Sequence, residues 1–499
     1  MKLRFWSSLA FGLSTALSAQ VSLPRILSSH MVVQRDLPVH VWGKAAPGES
    51  VSVRFRGESR KTNAGPLGRW SLYLAPGAAG GPFEMTVESK HPGNAVAQTI
   101  TLDDVLVGDV WVASGQSNME FPMSDAATAS QDIPKAFIPN LRLFVVQRQA
   151  VDYPQDDVES DGWNASTPNS VGNFSAVAWY FAREIGAREH VPVGIINSSW
   201  GGTPAEAWTR MGALAADAAL MPVFASWDKW AARESDSVFL RKEKPHLIAE
   251  AKAQGRPAPE FPWLPQLESQ SPALLYNGMI APLTPFPIRG VIWYQGEGNT
   301  DSDRAPLYGR LFRAMIEDWR RQWGIGDFPF LFVQIANYKA GSIEDWPTLR
   351  QQQFESLELR NTGMAVTVDI GDPENIHPTD KLDVGLRLSY WARAISYGEN
   401  VEVSGPLFRQ AVPEGSSIRV WFDHSGKLVI KNGDLVSFEV AGIDGKFVPA
   451  TAAIENNTVV VSSPSVTEPV YVRYGWSDNP QCNLFNGAGL PASPFTSAR

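Results

Sequence analysis

Three short blocks hold the residue types that acyl transfer requires: Gly115-Gln116-Ser117-Asn118-Met119, Ser199-Trp200-Gly201-Gly202-Thr203, and Asp369-Ile370-Gly371-Asp372-Pro373-Glu374-Asn375-Ile376-His377-Pro378. A serine hydroxyl is a weak nucleophile until a base takes its proton, and the oxyanion that forms needs hydrogen-bond donors. Ser117 follows a buried apolar run, Val110-Trp111-Val112-Ala113, and opens a predicted helix. Its hydroxyl would therefore stand beside backbone N–H groups that have no partner inside the helix. A helix N-cap serine has the same local pattern, so the block alone does not fix the role. Of the seven histidines, His377 lies between a predicted sheet strand and a helix, where a base could meet Ser117. His246 falls in an insertion, and His30, His40, His91 and His424 fall in β regions.

The elements that must position these blocks can be read from hydrophobic periodicity. Buried runs at 105–113, Val193–Ile196, Val291–Tyr294, Phe328–Ile335 and Met364–Ile370 alternate with amphipathic helical segments. Leu307, Leu311, Met315 and Trp319 share one helical face, and Val384, Leu388, Trp391, Ala392 and Ile395 share another. This order predicts an α/β fold, a parallel sheet with helices on both faces. Ligands of such sheets bind beyond the carboxyl ends of the strands, where the Ser117 and Gly201-Gly202 blocks fall. Period-two alternation at 20–104 and again at 400–499 predicts two flanking β-sandwich-type domains around a catalytic domain at 105–399. Residues 210–270 form a partly helical insertion in that domain.

The serine block is not a G-x-S-x-G elbow, because Met119 occupies the last position. It resembles the first signature of SGNH hydrolases, and in particular the sialate O-acetylesterase family. The Ser199–Thr203 block, Trp293-Tyr294-Gln295-Gly296-Glu297 and the Asp369–Pro378 block resemble the same family. So do Met31-Val32-Val33-Gln34-Arg35 with Val41-Trp42-Gly43 near one end, and Val472-Arg473-Tyr474-Gly475-Trp476 with Asn483-Leu484 near the other. The resemblance implies an SGNH-like catalytic sheet and a serine esterase that removes O-acetyl groups from carbohydrate through an acyl-enzyme. It implies Ser117 as nucleophile and His377 as base. The family pattern places an acid three residues before the histidine, where this chain has Glu374. Asp372 stands five before, and it is favoured over Glu374; a Ser–His dyad oriented by a backbone carbonyl is the third arrangement. For the oxyanion hole the expected donors are the Ser117 N–H, Gly202 or its neighbour Gly201, and Gln295 or Asn299, with Gln295 favoured by the resemblance.

Composition narrows the remaining classes. The formal net charge of −9 opposes a generic nucleic-acid binder, which needs a basic face. Cys482 is the single cysteine, so neither an intrachain disulfide nor a cysteine-ligated metal site can form. No H-E-x-x-H motif, Walker loop or dinucleotide fingerprint occurs, and no metal or cofactor is expected. Residues 1–19 have a positive start at Lys2 and Arg4, an apolar stretch, and small residues before Gln20. They read as an export signal to the periplasm or medium, and no later segment is apolar enough to span a membrane. Within the esterase class, acetylated xylan or another polysaccharide is the alternative substrate. Outside it stand a glycosidase using Glu297 and Asp372, and a noncatalytic carbohydrate-binding protein.

Overall fold

The computed structural model describes residues 20–90, 97–232, 234–259 and 267–498; the 1–19 segment read as an export signal lies outside the described residues. The architecture is built around one long strand, Gln98–Gly115. Its first half pairs antiparallel with Gly80–Lys90 and parallel with Val32–Gln34, in the sheet of the N-terminal β region. Its second half is the middle of a parallel sheet ordered Thr362–Ala365, Phe330–Val333, Gly290–Tyr294, Gln98–Gly115, Val193–Ser199, Ile138–Val145 and Trp163–Ser166. Only the last pairing is antiparallel. The strand runs unbroken through the 104–105 division expected from the sequence; Asp104, at φ 55°, lies in an irregularity of the pairing with Gly80–Lys90, and the change of partners from one sheet to the other comes at Gly108–Asp109.

Every residue from Val105 to Gly115 is buried, as a strand covered on both faces must be. Alternate side chains serve opposite faces. Trp111, Ala113, Ile292, Leu331 and Val333 pack with Phe181, Val384 and Leu388 from helices Ala176–Glu189 and Lys381–Tyr397. Val110, Val112, Trp293, Phe330 and Phe332 pack with Leu311, Met315, Trp319 and Leu349 from helices Tyr308–Trp323 and Trp346–Glu355. From Leu407 onward two four-stranded antiparallel sheets and a two-stranded pair enclose a separate core around Ile418, Val440, Val461, Val472 and Phe495. The α/β class with β regions on either side is therefore as the sequence predicts.

The chain leaves the central strand outward to Ile138–Val145, returns to Val193–Ser199 on one side, and crosses to Gly290–Tyr294 on the other. A crevice opens at such a reversal, at the carboxyl end of the strand that carries Ser117. Where that strand's pairing with Val193–Ser199 begins, it is tied by Asp109, a fully buried carboxylate. It accepts from Arg35 at 2.9 Å, Arg289 at 2.8 Å, Gln34 at 3.1 Å and Tyr397 at 2.9 Å. Burial opposes its ionisation, but Arg35 and Arg289 outweigh burial and hold the carboxyl below its ordinary range.

Removing that charge takes the buried carboxylate from Arg35 and leaves Arg289 with Asp36 alone; breaking a buried pair costs about 3–5 kcal/mol in comparable sites. Asp109→Asn should therefore lower the melting temperature strongly at neutral pH. Because the folded-state value is depressed, the stabilisation is complete above the unfolded value of about 3.9 and is lost as pH falls through the folded one. The gap between wild type and Asp109→Asn in thermal unfolding should narrow correspondingly in acid. A gap that stayed constant down to that range would contradict this role.

Candidate active site

The serine turn is fixed by its neighbours on both sides. Gly115 has φ 134°, and a Cβ there would lie 2.1 Å from the Tyr294 carbonyl oxygen, so only glycine fits. The Gln116 N–H donates to Tyr294 O at 3.0 Å, and Trp200 N–H donates to Gly115 O at 3.0 Å. Gln116 Oε1 accepts from Gly298 N–H at 2.9 Å. The ends of three adjacent strands are thereby stitched together around Ser117, the first residue of the short helix Ser117–Glu120.

His377 arrives from the other edge, in the loop between strand Thr362–Ala365 and helix Lys381–Tyr397. Its Nε2 stands 2.8 Å from Ser117 Oγ. Burial, then the nearby Lys381 charge, lower the imidazole's pKa below its ordinary 6.5. The ring is thus neutral at neutral pH and able to take a proton. Its loop is held by Asn118 Nδ2 donating to Ile376 O at 3.0 Å and by Ala127 N–H donating to Thr379 O at 2.9 Å.

The two candidate acids are not brought to the ring. Among the described residues, no carboxylate oxygen lies within 4.0 Å of a His377 ring nitrogen; the histidines so paired are His30 with Asp104 and His424 with Glu402. Asp372 Oδ1 instead accepts from Glu374 N–H at 2.9 Å, closing its own turn. Glu374 extends into solvent, with 77% of its side chain exposed, and pairs with Lys339 at 2.9 Å. Pro373 separates the two and sends them in different directions. Asp369, at the strand end, is taken by Arg387 through two bonds of 2.6 and 2.8 Å.

The expected oxyanion donors also separate. Gly201 N–H donates to Glu120 Oε2 at 2.8 Å and is occupied. Gly202, at φ 74°, has no hydrogen-bond partner on its N–H among the described residues. Gln295 is fully buried, and its Nε2 donates to Asn299 Oδ1 at 2.7 Å and Thr203 O at 3.2 Å, while its Oε1 accepts from Tyr308 at 3.0 Å. Asn299 donates to Glu206 at 2.8 Å. Both amides brace the floor beneath the site and do not face it. The carboxylates of a glycosidase do not form a facing pair: the partly buried Glu297 accepts from Asn118, and Asp372 serves its turn.

Glu120, Arg148 and Lys381, which the sequence did not single out, complete the rim and floor together with Trp200 and Glu297. Arg148 donates to Glu120 at 2.8 Å and lies 5.7 Å from the Trp200 ring, which frames the mouth beside Gly201. Lys381 and Glu297 meet beneath the serine through Asn118. The detectable signal was the presence of Asn118 inside the serine block and of a lysine four residues after His377, at the start of a helix that favours anions.

With the geometry in place, comparison with known proteins is decisive. Residues 263–395 match the family described as carbohydrate esterase, sialic acid-specific acetylesterase. The chain is 31% identical to the sialate O-acetylesterase of Mus musculus, over 94% of this chain and 93% of that protein. It is 30% identical to the Homo sapiens sialate O-acetylesterase, over 94% and 91%. The chain belongs to the sialate O-acetylesterase family. This esterase also superposes on the crystal structure of a carbohydrate acetylesterase from Xanthomonas citri with a TM-score of 0.82 and 38% identity, covering 96% of this chain and 99% of that one.

Two substitutions test the geometry of this sialate O-acetylesterase family member. A Cβ on Gly201 would sit 3.2 Å from Ser117 Cβ and 3.0 Å from Glu120 Oε2. Gly201→Ala should therefore displace the serine and lower kcat by about tenfold or more, since displacements of ~1 Å at a reacting group cost ~100-fold. Unchanged kcat would show that the close approach is not needed. Neither Asp372→Asn nor Glu374→Gln should cost more than about tenfold, far less than the ~10⁴ lost when a triad acid is removed. A loss near that figure in either would identify it as the acid in the working enzyme.

Proposed function

We propose that this protein hydrolyses O-acetyl esters of carbohydrates through an acetyl-serine intermediate on Ser117, with His377 as the base. The observation that carries this reading is the 2.8 Å contact between Ser117 Oγ and His377 Nε2 at the carboxyl ends of the parallel strands. Ser117 Oγ attacks the acetyl carbonyl carbon while its proton passes to His377 Nε2. The oxyanion is received by the backbone N–H groups of Ser117 and Gly202. Collapse expels the sugar oxygen, which takes the proton from His377, and leaves acetyl on Ser117. Water then attacks the acetyl carbon, losing a proton to His377; collapse breaks the bond to Ser117 Oγ, which takes that proton back from His377, and acetic acid departs and ionises to acetate.

Similarity to sialate O-acetylesterases along nearly the whole chain supports acetylated sialic acid as the substrate, with acetylated xylan or another polysaccharide as the alternative. Acetate release from a panel of acetylated sialosides and xylo-oligosaccharides distinguishes them. Export rests on the composition of residues 1–19, and a mature chain beginning near Gln20 would support it. No helix among the described residues is long and apolar enough to cross a membrane.

Ser117→Ala should abolish nearly all acetate release while leaving thermal unfolding close to wild type; retained turnover would remove Ser117 from the mechanism. The base works when neutral, so kcat/KM should rise with pH as His377 loses its proton. Burial and Lys381 depress that step, so the acid limb should have its midpoint below about 6.5. A midpoint above that value would contradict His377 as the titrating group.

A further inference from the structure

Beside the serine lies a chain of three polar side chains that the reaction does not consume, two of them buried and the third, Glu297, partly buried with a carboxylate oxygen turned inward. Lys381 is 1% exposed, and its ammonium donates to Asn118 Oδ1 at 2.6 Å. The same ammonium lies 4.7 Å from the Phe121 ring and 5.4 Å from the Tyr294 ring. Asn118, also 1% exposed, donates from Nδ2 to Glu297 Oε1 at 2.6 Å and to Ile376 O at 3.0 Å. The other Glu297 oxygen is buried without a partner. A lysine offers only donors and a carboxylate only acceptors, so the carboxamide can sit one way round.

The sequence positions of the joined residues give this chain its meaning. Asn118 follows Ser117, and Ile376 precedes His377. The Asn118–Ile376 bond is therefore a cross-link between the segment carrying the nucleophile and the segment carrying the base. Without a carboxylate on the imidazole, that cross-link must hold the ring in line with the hydroxyl. We propose that Lys381 and Glu297 are positioning residues for the Ser117–His377 pair, acting by clamping Asn118 so that it holds the His377 loop. The proposal rests on the assignment of Ser117 and His377 as nucleophile and base.

Burying a lysine at the first turn of a helix is unfavourable on two counts, desolvation and the helix dipole. Burial brings the Lys381 pKa down to about 7, against the opposing pull of Glu297 and Asp380. Burial likewise raises the Glu297 carboxyl, with Asn118 and Lys381 acting in the other direction. The groups facing Lys381 are thus Glu297, Asp380 and His377, and its cation contributes to keeping His377 deprotonated. A neutral amine still donates to Asn118, so the clamp persists after Lys381 loses its proton, whereas its field on His377 does not.

The experiment measures kcat, KM and the pH profile of acetate release for Lys381→Met, Glu297→Met and Glu297→Gln, with Ser117→Ala alongside. Lys381→Met should lower kcat by about tenfold or more with little change in KM, and should move the acid limb upward towards the ordinary histidine value. Glu297→Met should lower kcat similarly. Glu297→Gln keeps an acceptor for Asn118 Nδ2 and should recover most of that loss, which separates clamping from mere filling of space. The Glu297 pair keeps the test decisive if Lys381→Met does not fold. Wild-type kcat in folded Lys381→Met and Glu297→Met, with Ser117→Ala inactive, would overturn the clamp and leave the serine mechanism standing. An active Ser117→Ala would overturn both.

Discussion

The strand from Gln98 to Gly115 belongs to two sheets at once, and the geometry of the site follows from where it ends. Its amino-terminal half is paired with the N-terminal β region, while its carboxyl-terminal half is flanked by Gly290–Tyr294 and Val193–Ser199. All three strands stop at one level, and the absence of a side chain at Gly115 lets the Tyr294 carbonyl come close enough to take the Gln116 N–H. The serine is therefore presented from a rigid edge and not from a mobile loop, which suits a reaction whose rate depends on distances of fractions of an ångström. Where the strand's pairing with Val193–Ser199 begins, Asp109 ties Arg35, Arg289 and Tyr397 to the same backbone, so that pairing is braced at its start as well as at its end.

The base is held differently from the nucleophile. In the Ser–His–Asp arrangement an acid fixes the imidazole tautomer and stabilises its cation. Here the His377 ring is partly buried with no carboxylate among the described residues in contact, and its loop is held by Asn118 Nδ2 donating to Ile376 O and by the His377 N–H donating to Asn375 Oδ1. The energetic consequence is a base whose protonated form lacks direct compensation, consistent with the direction of its shift. Such a base releases its proton readily to the departing sugar oxygen.

Much of this arrangement was legible in the sequence because its causes are local. Buried parallel strands read as continuous apolar runs, which located ends at Gly115 and Tyr294 and placed the third at Ile196, three residues short of the observed Ser199. Ser117, just after a strand, and His377, in a loop before a helix, have the residue types that the chemistry needs. What was not legible depends on partners distant in the chain. The carboxylate of Asp372 is satisfied by a backbone N–H two residues on, a local competition that a residue count back from the histidine does not detect. Gln295 was expected to face the substrate, yet Tyr308, Asn299 and Thr203 converge on its amide from three other segments. Lys381 reads as one more solvated cation at a helix end until Asn118, Phe121 and Tyr294 are folded over it.

The central claim is that Ser117 carries the acetyl group between its transfer from sugar and its release to water. Rapid chemical quench during turnover of an acetylated sugar, followed by peptide mass spectrometry, tests it directly. The account predicts a single acetyl group on the peptide containing Ser117, appearing before steady-state acetate and absent from Ser117→Ala. A wild-type enzyme that turns over while this peptide stays unmodified under conditions that accumulate intermediates, or an acetyl group found on another residue, would contradict it.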